Sequence, residues 1–182
     1  FVDDVWKPLL KEIMSKNIKI VTNAGGMNPL ACKLAIEKEA KAAGIPIPVV
    51  AAIEGDNILE DFKKLTESND VIPFKVEGET DKLNAKAPKL SANAYISAIP
   101  ILQALQQGAQ IIVTGRCVDS ALVLGPLMYE FGWSSSQYDL LAQGSVAGHL
   151  IECACQSTGG NFTDWELSLK GGWDNVGFPI IE

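Results

Sequence analysis

The sequence predicts an α/β fold, with a mainly parallel sheet flanked by helices in three layers and built from Rossmann-like βαβ units. Three observations carry that prediction. Short runs of Ile and Val, such as Ile18–Thr22 and Ile111–Val113, are the length of strands and too short for helices. Longer segments of helical periodicity alternate with them. Turn and cap residues stand at the junctions, as in Asn23-Ala24-Gly25-Gly26-Met27-Asn28-Pro29.

In chain order, Asp3–Lys16 reads as an amphipathic helix with Val5, Leu9 and Ile13 on one face. Ile18–Thr22 is a strand. Asn28 then caps a helix that begins at Pro29, where the missing N–H costs nothing. Leu30 and Leu34 face inward, Glu37 pairs with Lys41 at i, i+4, and Gly44 ends the helix. Val49–Ile53 follows as the second strand, which makes a βαβ unit with parallel strands and a right-handed crossover.

A helix is expected over Asp56–Leu65, a loop and strand over Asn69–Glu77, and an exposed polar loop over Gly78–Lys89. Asn93–Gln107 is alanine-rich and helical, with Pro100 either kinking it or marking its early part. After the strand Ile111–Val113, Val118–Leu127 reads as a helix. Tyr138–Cys155 is apolar nearly all round, so it is expected to be buried. The chain opens in mid-pattern of a helix and stops in the apolar run Gly177–Glu182. Residues 1–182 therefore read as a single domain incomplete at both ends, part of a longer one.

Composition narrows the function classes. A net charge of −7 with scattered lysines offers no basic stripe for nucleic acid. No apolar stretch is long enough to span a bilayer, and nothing resembles a signal peptide. Cys32, Cys117, Cys153 and Cys155 lie in apolar or helical text, which fits reduced thiols and an intracellular home, cytoplasmic or mitochondrial matrix.

Arg116 is the only arginine, and it follows a strand directly. Ligands of open α/β sheets gather at that end of the strands. A guanidinium there is a candidate clamp for a carboxylate or phosphate. The plainer alternative is a loop tie to Asp119. The turn carrying Asn23, Gly25, Gly26 and Asn28 joins a strand to a helix start, where close backbone approach and free N–H groups favour an anion. It matches neither a dinucleotide fingerprint nor a phosphate-binding loop, and a tight, well-capped turn is the simpler reading. Asp56, after the second strand, reads as a helix cap, with contact to a nicotinamide nucleotide's ribose the minority alternative.

The last candidate is Gly144-Ser145-Val146-Ala147-Gly148-His149-Leu150-Ile151-Glu152-Cys153, which holds the only histidine. His149 and Cys153 share a helix face and Glu152 lies beside them. They form a Cys–His dyad, an acid–base pair, or a core histidine beside a small apolar thiol. Zinc is not expected, since Cys153-x-Cys155 has the wrong spacing and no second histidine exists. Gly144 and Gly148 also suit close helix packing, and with exposed tryptophans they suggest a homo-oligomer.

Several long runs, in this order, resemble the acyclic terpene utilisation (AtuA-like) family. They are Thr22–Pro29, Glu54-Gly55-Asp56, Asn93-Ala94-Tyr95, Thr114–Pro126, Leu141–Gly144, Ala147–Cys153, Thr158–Phe162 and Gly177-Phe178-Pro179. Family members are longer at both ends, so the resemblance implies a central portion. It also implies a role in the breakdown of acyclic terpenoids such as citronellol and geraniol, beside an acyl-CoA carboxylase. The expected substrate is a branched acyl-CoA or related carboxylate, with no cofactor motif evident. On that reading Asn23, Gly25, Gly26, Asn28, Arg116 and Asp119 form the substrate or anion site, with Arg116 and the Gly25-Gly26 helix start holding the anionic groups, while His149, Glu152 and Cys153 carry chemistry. The alternative is a non-catalytic subunit that binds the acyl-CoA or docks on the carboxylase.

Overall fold

Ile111, Ile112 and Val113 are wholly removed from solvent, and the rest of the fold is arranged around them. They belong to β3 (Ile111–Thr114), which pairs in parallel with β1 (Ile20–Thr22) on one side and β2 (Val50–Ile53) on the other. The computed structural model describes residues 2–68, 90–168 and 171–182. The loops and strand expected over Asn69–Lys89 lie outside the described residues.

Successive strand side chains point to opposite faces, so β3 feeds two cores. Ile111 and Val113 join Trp6, Leu10, Ile13, Ile36 and Ala40 on one face. Ile112 joins Ala98, Ile101, Leu105, Ala121 and Met128 on the other. Helices on both faces of an open parallel sheet make the three-layer α/β architecture that the sequence predicted. The sheet order is β1-β3-β2, so the strands of the first βαβ unit are parallel but not adjacent; β3 inserts between them.

On the first face lie α1 (Lys7–Ser15), entered through a π-helical turn at Val2–Trp6, and α2 (Pro29–Ala42). The expected inward face of α1 is corrected. Val5 and Leu9 are exposed, whereas Trp6, Leu10 and Ile13 are buried. That i, i+4, i+7 stripe is as regular as the predicted one and buries the largest side chain in the segment. In α2 the correction is similar: Leu30 and Leu34 are 48% and 56% exposed, and Ile36 and Ala40 face the sheet. Glu37 pairs with Lys33, one turn back, rather than with Lys41. The ends of α2 follow the sequence: the Asn28 side chain accepts from the Ala31 N–H at 2.9 Å, and Gly44 adopts φ +67° just past the helix.

Helix α3 (Phe62–Glu67) starts later than expected, because residues 56–59 are held in other bonds. The Asp56 carbonyl accepts from the Ala94 N–H at 2.7 Å, and Asn57 Oδ1 accepts from the Leu59 N–H at 3.1 Å. Helix α4 (Ala98–Gln106) is capped by Ser97 and holds Pro100 in its first turn, where a proline removes no helical hydrogen bond. Residues 93–97 run extended instead, and Ile96 bridges Cys117. Helix α5 (Ala121–Phe131) packs on α4, and α6 (Tyr138–Cys153) packs on α5.

The expected burial of α6 is also corrected. Only Gly144 and Gly148 are buried, while Val146 is 61% exposed. A side chain at Gly148 would strike the Ser120 backbone, so this face lies flat on the start of α5 and leaves the remaining faces outward. Beyond a short 3-10 turn at Ala154–Gln156, α7 (Trp165–Ser168) brings Trp165 onto Trp173 in a stacked pair. Among the described residues, no helix is long and apolar enough to cross a membrane.

Candidate functional site at the carboxyl edge of the sheet

All three strands end on one edge, and the residues that follow them meet there. Asn23, Gly26 and Met27 follow β1, Asp56 follows β2, and Gly115 and Arg116 follow β3. With Asn93 and Tyr95 from the extended segment before α4, they line a cleft of about 360 Å³. A site at strand carboxyl ends beside a strand-order reversal is where open α/β sheets place ligands.

Asp56 organises the cleft. It is 7% exposed, and its Oδ2 accepts from the Arg116 backbone N–H at 3.0 Å and from Asn93 Nδ2 at 2.8 Å. It does not cap α3, as the sequence suggested. Gly115 makes the arrangement possible, since a Cβ at that position would collide with the Asp56 carboxylate. The loop from β3 is thereby pinned to the loop from β2, and Arg116 is left at the surface with its side chain free of the pinning.

The Arg116 guanidinium lies 4.7 Å from the centre of the Tyr95 ring, a cation–π contact. Interaction with Tyr95 is the main cause that raises the Arg116 pKa above its ordinary value, ahead of the Asp119 charge. The predicted alternative, a loop tie to Asp119, does not form: no described carboxylate makes an ion pair with Arg116. Asp119 is half-buried and lies outside the cleft lining, although its charge is felt at Arg116, Cys117 and Cys153.

The glycine turn divides. Asn23 and Gly26 line the cleft, while Gly25 is buried against β3, where a Cβ would stand 2.5 Å from the Thr114 carbonyl oxygen. The Gly26 N–H donates to the Asn23 carbonyl at 3.1 Å, and Asn28 is occupied as the cap of α2. Those bonds close the turn on itself at Gly26 and at the first turn of α2.

His149, Glu152 and Cys153 do not join the cleft. His149 lines a separate pocket of about 320 Å³ with Ser120, Ser145, Val146 and Leu150. His149 and Glu152 are exposed. The Cys153 thiol donates to Glu152 Oε2 at 3.4 Å, not to His149. That bond, followed by burial, raises the Cys153 pKa above the ordinary thiol value. A dyad needs a thiolate, and this pairing opposes one. Burial likewise raises the thiol pKa of Cys117 and Cys32.

A third opening is larger than either of these. A groove of about 850 Å³ runs between α5 and α6, lined by Val123, Leu127, Phe131, Trp133, Ala147 and Leu150 among others. It shares Val146 and Leu150 with the His149 pocket. It is bordered by apolar surface and holds none of the charged residues of the sheet edge.

The family model for the acyclic terpene utilisation family protein AtuA matches residues 1–182, the whole chain. The chain belongs to this family. Membership places it in acyclic terpene utilisation. No curated protein and no solved structure matches the chain.

Within this member of the family, sequence reasoning brought together Asn23, Gly26 and Arg116 and missed Tyr95 and Asn93. The run Asn93-Ala94-Tyr95 was among the family-like motifs, yet it carries no charge or glycine signature. Its place at the cleft depends on the bridge from Ile96 to Cys117, a contact between distant segments.

Proposed function

We propose that the chain binds a branched acyl-CoA, or a related terpenoid carboxylate, and acts on it in the breakdown of compounds such as citronellol and geraniol. The anionic group sits in the sheet-edge cleft against Arg116. One observation carries this reading: the only arginine of an acidic chain stands at the cleft mouth, without an ion pair among the described carboxylates. A guanidinium so placed can hold a carboxylate or phosphate, or stabilise negative charge that develops on a thioester oxygen. Asn23 and Asn93 add amide groups beside it.

A second reading, a non-catalytic subunit that binds the acyl-CoA or docks on an acyl-CoA carboxylase, is favoured by a separate observation. The histidine and glutamate that the sequence offered for moving protons, His149 and Glu152, are absent from the cleft lining. The exposed apolar surface of α5 and α6 supports self-association in either case, and an intracellular setting, cytoplasmic or mitochondrial, belongs to the same proposal.

A thermal-shift screen of the full-length protein against branched acyl-CoAs, free terpenoid acids and nicotinamide dinucleotides tests the first reading. A ligand at a hundred times its dissociation constant adds about 2.7 kcal/mol to stability. Stabilisation by the acyl-CoAs or acids, lost in Arg116→Ala, is the expected result. No stabilisation except on adding the carboxylase would favour the second reading.

A further inference from the structure

We propose that Tyr95 is the positioning residue of this site: its ring holds the Arg116 guanidinium over the cleft and so sets affinity for the anion. The inference rests on the reading of Arg116 as the anion clamp, and adds what keeps that side chain in place. Arginine loses considerable side-chain entropy when fixed, and an exposed one with no partner samples many rotamers. Here the backbone of Arg116 is fixed by Asp56, but that bond restrains only the main chain. The one described aromatic contact of the guanidinium is Tyr95, 4.7 Å from the ring centre.

Tyr95 is itself fixed by its surroundings rather than by burial. It is 54% exposed, yet its chain neighbours are tied down on both sides. The Ala94 N–H donates to the Asp56 carbonyl at 2.7 Å, and the Ile96 N–H donates to the Arg116 carbonyl at 3.1 Å. The segment carrying the ring is thus bonded to the backbone of Arg116 itself and to Asp56, which anchors it. A half-exposed tyrosine with such backbone ties contributes little to either hydrophobic core, and neither core includes it. Its position is explained by the guanidinium and the cleft it lines.

The test is a double-mutant cycle on the full-length protein, read by isothermal titration with citronellyl-CoA and by thermal melting. Tyr95→Leu should weaken binding about two- to fivefold, the effect of losing an exposed cation–π contact. Tyr95→Phe should weaken binding less than Tyr95→Leu, because the ring face is kept and only the hydroxyl's interaction with the guanidinium is lost. On an Arg116→Ala background, itself weakened tenfold or more, Tyr95→Leu should have no further effect. Melting temperatures of both Tyr95 variants should stay near wild type. Unchanged binding in Tyr95→Leu, a loss in Tyr95→Phe greater than in Tyr95→Leu, or a full additional loss on the Arg116→Ala background would overturn the proposal. Wild-type affinity in Arg116→Ala would instead overturn the clamp on which it rests.

Discussion

The bond from the Arg116 N–H to the buried Asp56 carboxylate depends on the absence of a side chain at Gly115. Gly115→Ala should therefore push the two loops apart and cost about 1–3 kcal/mol, the usual penalty for overpacking. Urea unfolding measures it, and an unchanged midpoint would mean that the loops are not tightly held. His149 makes the opposite prediction. It is exposed and makes no hydrogen bond among the described side chains, so His149→Ala should shift stability by no more than about 0.5 kcal/mol. Acyl-CoA affinity in the same titration should also be unchanged.

The Cys153 thiol belongs to this scale as well. Its pKa is raised by the bond to Glu152, so the proton stays on through neutral pH and the bond is lost only as pH rises through the folded-state value. Iodoacetamide should modify Cys153 more slowly than a free cysteine at pH 7, and Glu152→Gln should speed the reaction. At this scale the sequence was a fair guide to Arg116, whose solitude is visible in a list of residues. It was a poor guide to Asp56, whose partners lie 37 and 60 residues away.

Helix ends were legible and helix faces were not. Asn28, Pro29 and Gly44 act locally, through bonds within a turn, and all three serve α2 as their types suggest. Asn28→Ala should cost about 1 kcal/mol, checked by thermal melting. Faces depend on what the helix meets. In α1 both the Val5–Leu9–Ile13 and Trp6–Leu10–Ile13 stripes are apolar, and the choice between them is made by the sheet. In α6 an apolar composition does not bring burial, since only Gly144 and Gly148 are buried. What fixes that helix is its glycine edge, where Gly144 meets Leu124 and Trp133 and Gly148 meets Ser120. Gly148→Leu should displace α6 from α5, with a loss of stability larger than that of Val146→Ala on its exposed face.

For the whole molecule, the class of fold was readable because strand and helix periods alternate along the chain, a local property. The order of strands was not. Nothing in residues 18–53 says that β3, nearly sixty residues later, will insert between β1 and β2. That insertion puts Ile112 at the centre of the molecule, where it has no exposed surface and packs beneath α4 and α5. Ile112→Ala should cost about 2–5 kcal/mol, as buried large-to-small changes do. The same insertion gathers the Asn23, Asp56 and Arg116 loops at one edge, so the cleft is a product of topology more than of any single motif.

The most direct test of the anion cleft is a crystal structure of the full-length protein with citronellic acid or its CoA thioester. We expect carboxylate or phosphate oxygens within hydrogen-bonding distance of the Arg116 guanidinium, bordered by Asn23 and Tyr95. An anionic group seated instead beside His149, with nothing bound at the sheet edge, would contradict the account.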